Sequence, residues 1–156
     1  MVEIRSMAIS DYAPVYAIWY NSPEIGVMSL DDSRESIEAF LRMNKRFCLV
    51  AIDEVDVKEV IGAVLCGFDG RRAYIYHLAV ADGYRGKGIG KMLVETLLER
   101  LKADKVNKVS LVAFKDNDFG KIFWEHMGFR LRDDLVFMDR QINMDNQWVN
   151  KDIALR

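Results

Sequence analysis

The sequence contains a glycine-rich segment, Tyr84-Arg85-Gly86-Lys87-Gly88-Ile89-Gly90-Lys91. Residues 73–80, Ala-Tyr-Ile-Tyr-His-Leu-Ala-Val, precede it and are rich in β-branched and aromatic side chains, which favours a buried strand. Apolar side chains then recur at helical spacing on one face: Ile89, Leu93, Val94, Leu97, Leu98 and Leu101. A helix N-terminus provides unpaired N–H groups and a positive dipole end, and the alternating glycines leave the backbone accessible. The segment therefore predicts an anion-binding turn between a strand and a helix.

The spacing of these glycines excludes two kinds of nucleotide site. The phosphate-binding loop of nucleoside triphosphatases needs glycine at 85 and serine or threonine at 92, where this chain has Arg85 and Met92. The dinucleotide fingerprint needs a third glycine, where Lys91 or Leu93 stands. What remains is the pattern Arg-x-x-Gly-x-Gly at 85–90.

A second motif occupies residues 117–129, Asn-Asp-Phe-Gly-Lys-Ile-Phe-Trp-Glu-His-Met-Gly-Phe, and predicts a short helix closed by Gly128. Together the two motifs resemble the GNAT superfamily of N-acetyltransferases. That family has the pyrophosphate signature Arg-x-x-Gly-x-Gly and a later Asn-x-x-Ala-x-x-x-Tyr-Glu-x-x-Gly-Phe segment. Gly120 and Trp124 stand at the alanine and tyrosine positions of that segment. Two motifs in this order make the resemblance far more specific than either alone.

The resemblance implies an α+β GNAT-type fold, a mixed central sheet flanked by helices on both faces, with element order βααβββαβαββ. It also implies acetyl-CoA as co-substrate and no metal ion. The backbone of Leu78, Ala79 and Val80 would hold the pantetheine, with Asn117 and Trp124 beside it. The pyrophosphate would be held by residues of the glycine-rich turn: Arg85, Gly86, Lys87, Gly88, Ile89, Gly90 and Lys91. Asn117 is also suited to cap the following helix.

The catalytic residues are less well defined by the sequence. Amine acetylation needs a neutral amine, a stabilised oxyanion and a proton for the leaving thiolate. The family places its base at positions corresponding to Tyr74 and Tyr76, which are candidate proton relays through water or simply core aromatics. Strand alternation directs His77 away from Tyr76 and favours a packed histidine. An indole cannot donate a proton at neutral pH, so Trp124 leaves two options: another acid, or departure of the thiolate unprotonated.

The length of the chain predicts one domain, and its net charge limits the kinds of partner. The chain has 156 residues and a net charge of −2, which provides no electrostatic reason to bind nucleic acid or an anionic membrane. No apolar run approaches the ~20 residues of a membrane helix, and the N-terminus lacks a signal-peptide core. We therefore expect a cytoplasmic protein in which Cys48 and Cys66 are buried free thiols.

The predicted domain spans residues 2–142, and 143–156 form a C-terminal tail. We expect the tail to be flexible or loosely docked; the alternative is a segment that packs its isolated Trp148 on a neighbour. Asp32 and Glu35 predict a capping box for the second helix. Arg71 and Arg72 lie at a predicted hairpin tip. They belong either to a solvated turn or to a site that binds an anionic group of the acceptor. Strands are predicted at 2–6, 46–53, 60–68, 73–80, 108–114, 129–131 and 135–142, and helices at 10–21, from 32, from 89 and at 119–127.

The function that we expect is transfer of acetyl from acetyl-CoA to a primary amine of a small molecule or peptide, by direct attack in a ternary complex. Two alternatives stay open: transfer of a bulkier acyl group, and a non-catalytic CoA-binding sensor or interaction protein. The missing tyrosine and carboxylate keep the second alternative open. Residues 21–31, which should shape the acceptor pocket, carry no recognisable signature. Many members of the family dimerise, and a homodimer is compatible with this sequence.

Overall fold

The computed structural model describes residues 1–55 and 58–151. These residues form a five-stranded mixed sheet with helices on both faces. The strand order is β1-β2-β3-β4-β5, with antiparallel neighbours except for the parallel pair β4–β5. The strands are β1 Val2–Ser6, β2 Leu49–Asp53, β3 Glu59–Phe68, β4 Ala73–Val80 and β5 Val109–Leu111.

Four helices cover the sheet: α1 Tyr12–Tyr20, α2 Arg34–Met43, α3 Ile89–Ala103 and α4 Asp118–His126. Alternate residues of β2 divide the core, because strand side chains point to opposite faces. Val50 and Ile52 pack with α1 and α2, whereas Leu49 and Ala51 pack with α3. This arrangement confirms the predicted α+β fold. Short 3-10 turns, Ile9–Asp11 and Asp82–Tyr84, precede α1 and the glycine-rich turn.

The structure corrects the predicted cap of α2 and confirms the prediction for the two cysteines. Ser33, not Asp32, caps α2, since its hydroxyl accepts from the N–H of Ser36; Asp32 is buried and bonded elsewhere. Cys48 and Cys66 are buried free thiols, as predicted, and burial raises the pKa of each to about 12.

The C-terminal third departs from the predicted pattern. Within the described residues the sheet ends at β5, and the strands predicted at 129–131 and 135–142 do not form. A strand needs a neighbouring edge to satisfy its backbone groups, and neither segment is paired with one here.

The tail is held against the loop between α1 and α2 rather than loosely docked. Trp148 bridges Met28, the N–H of Val149 donates to the Val27 carbonyl, and Asn150 contacts Val27 and Ile25. Tail residues 152–156 lie outside the described part of the chain.

Candidate functional site

The site opens where β4 and β5 separate. The two strands pair only at Ala73–Val109, Tyr74–Ser110 and Ile75–Leu111, and β4 then continues to Val80 without this neighbour. A pocket of about 900 Å³ lies between the separated strands. Residues 78–80 line one side of it and residues 111–114 line the other. Because buried backbone groups need partners, an opened strand edge suits a ligand that carries amides of its own.

The glycine-rich turn closes one end of this pocket. Gly86 and Gly88 have φ of 74° and 80°, in the left-handed region where only glycine is unstrained. A Cβ on either would meet nothing within 4 Å, so both positions are open. The N–H of Met92 donates to the Gly88 carbonyl, so the amides of residues 89–91 precede the helical ladder and lack an acceptor within α3. Free amides at a helix N-terminus favour an anion, and anion binding at this rim of the pocket stays a prediction.

Arg85 lines the same pocket, but its side chain is bound to protein groups. The guanidinium lies 3.2 Å from Glu24, 3.4 Å from Asp82 and 3.1 Å from the Val80 carbonyl. It therefore joins the glycine-rich turn to the end of β4 and to the loop after α1. Its predicted contact with a pyrophosphate stays a prediction.

Helix α4 supplies the opposite wall. The Asn117 side chain accepts from the N–H of Gly120 at 2.9 Å, so the predicted helix cap is confirmed. A Cβ on Gly120 would overlap the Asn117 amide, which explains glycine where alanine was expected. Trp124 is half-buried, with its ring 5.1 Å from that of Phe123 and 5.0 Å from that of Phe129, and it lines the pocket.

A β-bulge in β4 changes the side-chain directions predicted for the central strand. Val64 pairs with Leu78 but Cys66 pairs with Ile75, so β4 carries one extra residue between these points. Tyr76 packs on Phe40 of α2 and His77 packs on Trp19 of α1. The prediction that His77 points away from Tyr76 is therefore wrong, since both face the layer of α1 and α2.

His77 is held in a buried polar contact that sequence reasoning missed. Its Nε2 lies 2.9 Å from the Asp32 carboxylate, and its Nδ1 lies 3.0 Å from the Tyr76 carbonyl. The second carboxylate oxygen of Asp32 accepts from the N–H of Met28. Asp32 and His77 are far apart in the chain, and no local pattern links them. The contact secures the α1–α2 loop to β4 beside the pocket.

The two candidate relay tyrosines lie together at the start of the opening. The rings of Tyr74 and Tyr76 are 4.7 Å apart, and Tyr76 lines the pocket with 55% of its surface exposed. Burial raises the pKa of both phenols above the ordinary value. Both hydroxyls are therefore protonated at neutral pH, which suits donation of a proton better than removal of one.

Other predicted features lie away from the pocket. Arg71 and Arg72 are exposed at the hairpin tip, where their N–H groups donate to Asp69. His126 is exposed near the end of α4. In residues 1–55 and 58–151, no group of three or more His, Cys, Asp or Glu side chains is arranged to hold a metal ion. No helix in the same ranges has the length and hydropathy to cross a bilayer.

Comparison with known proteins gives a consistent result. Residues 13–129 match the model of the Acetyltransferase (GNAT) family. The chain is 29% identical over 147 residues to acetyltransferase SG1711 of Sodalis glossinidius, which covers 94% of this chain and 100% of that protein. Ard1 from Thermoplasma volcanium is similar in structure, with a TM-score of 0.73, 22% identity and 84% of each chain covered. PaiA N-acetyltransferase from Thermoplasma acidophilum, in complex with coenzyme A, superimposes with a TM-score of 0.74, 18% identity and 94% and 95% coverage.

Proposed function

The chain belongs to the GNAT family of acetyltransferases, and we propose that it transfers acetyl from acetyl-CoA to a primary amine of a small molecule or peptide. The observation that carries the proposal is the open edge of β4, which faces a pocket closed at one end by the glycine-rich turn. An extended ligand with amides in its middle and an anion at one end fits both features.

Coenzyme A has these properties. The pyrophosphate would sit on the amides of residues 86–91, where the N-terminus of α3 favours negative charge. The pantetheine amides would pair with the backbone of Leu78, Ala79 and Val80, with Asn117 and Trp124 on the other side. This direction brings the thioester to the region of Leu78 and Tyr76, where β4 and β5 begin to separate.

The reaction follows from that placement. The lone pair of a neutral amine attacks the thioester carbonyl in a ternary complex and forms the C–N bond. A backbone N–H near Leu78 would stabilise the tetrahedral oxyanion. Collapse of this intermediate breaks the C–S bond; the amine loses one proton, and the coenzyme thiolate accepts one.

Tyr76 is the side chain best suited to handle that proton. It lines the pocket, and its raised pKa keeps the phenol protonated at neutral pH. Tyr74 packs against it, with the two ring centroids 4.7 Å apart, which holds the pair in place. Trp124 would contact the coenzyme without donating a proton, because an indole N–H is not acidic at this pH.

The test is thiol release from acetyl-CoA in the presence of a panel of amines, with mass spectrometry of the product. We expect at least one amine to gain an acetyl group with one thiol released per product. Gly88→Asp, which places a carboxylate at the proposed pyrophosphate site, serves as the matched control and should be inactive while folded. Coenzyme binding without transfer to any amine would favour a binding protein, and turnover only with longer acyl-CoA would favour the bulkier substrate.

A further inference from the structure

The side chain of Arg85 bridges two walls of the pocket that are far apart in the sequence. Its Nε donates to the Val80 carbonyl at 3.1 Å, and its Nη2 donates to Ser22 Oγ at 3.3 Å and to Glu24 Oε1 at 3.2 Å. A guanidinium has five N–H donors in a fixed plane, and three of them are used in these contacts. The side chain is therefore held with its donors directed at acceptors of the protein.

The contact with Val80 lies where β4 no longer has β5 beside it. The two strands pair only as far as Ile75, and Val80 is the last residue of β4. A backbone carbonyl at such an opened edge needs a donor once water is excluded from the pocket. Moving the guanidinium toward a bound ligand would take this donor away from the carbonyl.

The other two acceptors belong to the start of the loop between α1 and α2. Ser22 is 2% exposed, and its hydroxyl donates to the Ile18 carbonyl at 2.6 Å while it accepts from Arg85. The N–H of Ile25 donates to the Ser22 carbonyl and forms a turn. Residues 23–25 line the pocket, so Arg85 fixes this wall relative to the glycine-rich turn.

The rest of the loop is anchored from the side of the tail. Asn150 bonds to the backbone of Val27 and Ile25, and Lys151 donates to the Pro23 carbonyl. Arg85 approaches the same segment from the opposite side of the pocket. Residues 22–25 are therefore held between the tail and the glycine-rich turn.

Arg85 also balances a charge in the pocket. The Glu24 side chain is 27% exposed and lines the pocket together with the glycine-rich turn. Without the guanidinium, its carboxylate would present an unpaired negative charge to an anionic ligand, and like charges repel more strongly away from bulk water. Asp82, 3.4 Å from Nε, is 82% exposed, so water and salt screen its charge.

We infer that Arg85 is a positioning residue: its side chain fixes residues 22–25 against the glycine-rich turn and neutralises Glu24, and it does not bind the pyrophosphate. The phosphate is left to the backbone amides of residues 86–91. The inference rests on the proposed function for the identity of the coenzyme, whereas the contact between Arg85 and the loop is independent of it.

The first measurement is hydrogen exchange of the free protein, which needs neither coenzyme nor amine. Arg85→Met keeps the aliphatic stem, and Arg85→Lys keeps the charge but lacks the planar fork. We expect each to speed exchange in residues 22–27 by about 10-fold or more, because the turn at Ile25 loses its support.

Arg100→Met is the matched control for exchange. Arg100 also donates to a serine hydroxyl and to a backbone carbonyl, those of Ser6 and Arg46, and it does not line the pocket. Its substitution should leave exchange in residues 22–27 unchanged. Wild-type exchange of this segment in folded Arg85→Met would overturn the inference.

The second measurement is the affinity for coenzyme A by calorimetry. The double variant Arg85→Met/Glu24→Gln removes both charges, and we expect its Kd to lie within about 3-fold of the wild type, since amides hold the phosphate. Arg85→Met alone should bind more weakly than the double variant, because Glu24 is left unpaired.

A direct bond from the guanidinium to a phosphate predicts the opposite result for the double variant. Loss of such a charge-assisted bond weakens binding by about 10- to 100-fold, and a loss of that size in Arg85→Met/Glu24→Gln would overturn the inference. A wild-type protein that does not bind coenzyme A would contradict the proposed function, and the exchange measurement would still decide the role of Arg85.

Steady-state kinetics on a working amine separates positioning from catalysis. We expect Arg85→Lys to raise the KM for the amine about 10-fold with kcat within about 3-fold of the wild type, because a wall of the pocket shifts while Tyr76 stays in place. A lowered kcat with an unchanged KM for the amine would contradict a positioning role.

Discussion

Individual residues of the site are held partly by near neighbours in the sequence and partly by contacts that join distant parts of the chain. Trp124 lies between Phe123 and Phe129, and its surroundings are aromatic. Tyr76 packs on Phe40, and Arg85 on Glu24 and Asp82. At this scale the pocket consists of a polar end at the glycine-rich turn and an aromatic end at the tyrosines.

Substitutions of Trp124 test whether this position requires a bulky side chain or a proton donor. Trp124→Ala should raise the KM for acetyl-CoA, with up to ~3 kcal/mol lost for removal of a packed aromatic ring. Trp124→Tyr restores a phenol of similar shape and should keep or raise kcat. Steady-state kinetics on a working amine measures both. Loss of turnover in Trp124→Tyr would mean that the indole has a catalytic role.

Tyr76 tests the proton relay. Tyr76→Phe deletes one oxygen and keeps the ring on Phe40, so folding and coenzyme affinity should be unchanged. We expect kcat to fall by about 100-fold or more, in the range of a general acid–base contribution. The matched control is Tyr20→Phe, an exposed tyrosine at the end of α1. Equal kcat for Tyr76→Phe and the wild type would assign the proton transfer to solvent.

Secondary structure elements contribute to the site and to stability through the groups at their ends. The N-terminus of α3 and the two left-handed glycines form the proposed anion site, and the 3-10 turn before α1 holds the start of the sheet. Arg5 of β1 pairs with both carboxylate oxygens of Asp11 at 2.8 and 2.9 Å.

Two substitutions of Gly88 separate the effect of backbone strain from the effect of negative charge at the proposed anion site. Gly88→Ala places a Cβ in open space but at a φ of 80°, which costs about 1 kcal/mol of stability. Gly88→Asp carries the same strain and adds a negative charge. We expect calorimetry to show weakened acetyl-CoA binding for alanine and none for aspartate, with both proteins folded by circular dichroism. Equal affinities for the two variants would argue against a phosphate at this turn.

Asp11 provides a pH-dependent contribution to stability. Burial alone raises its pKa, but hydrogen bonds from Arg5 and from the Ala8 N–H hold the pKa below the ordinary 3.8. The folded pKa is therefore the lower one, so the stabilisation is present above about pH 4 and is lost as pH falls through the folded value. Asp11→Asn should cost about 1–3 kcal/mol at pH 7. It should also reduce the loss in the free energy of unfolding as the pH falls, as measured by urea unfolding between pH 3 and 7.

At the scale of the whole molecule, the tail fixes the loop between α1 and α2, which lines part of the pocket. The Asn150 side chain accepts from the Val27 N–H at 2.9 Å and donates to the Ile25 carbonyl at 2.9 Å. Trp148 lies over Gly26, where a Cβ would overlap its ring, and it contacts Phe114. The tail therefore belongs to the structure around the pocket.

Asn150→Ala should loosen this loop by removing these two hydrogen bonds and the longer ones to the Trp19 and Tyr20 carbonyls, at a cost of about 1–3 kcal/mol. We expect a raised KM for the amine, with acetyl-CoA affinity within a few fold of the wild type, because no tail residue contacts the proposed coenzyme groups among the described residues. Asp139→Ala, at an exposed position before the tail, is the control. A large loss of acetyl-CoA affinity in Asn150→Ala alone would show that the tail supports the coenzyme site.

The sequence by itself determined the fold class, the four helices, the central strands and the glycine-rich turn. These features depend on local patterns: alternation in β4, helical periodicity in α3, and glycine at positions with positive φ. The Asn117 cap and the buried thiols were also predictable, since each depends on near neighbours or on apolar strand positions.

Only the tertiary structure decided the bulge in β4, the Asp32–His77 contact, the Arg85 ion pairs and the course of residues 129–142. The bulge depends on the register with β3, and the polar contacts join residues far apart in the sequence. The segment 135–142 has the composition of a strand, but a strand forms only where another strand offers an edge. Local sequence can specify which residues favour such pairing, and the arrangement of the whole chain decides whether a partner is present.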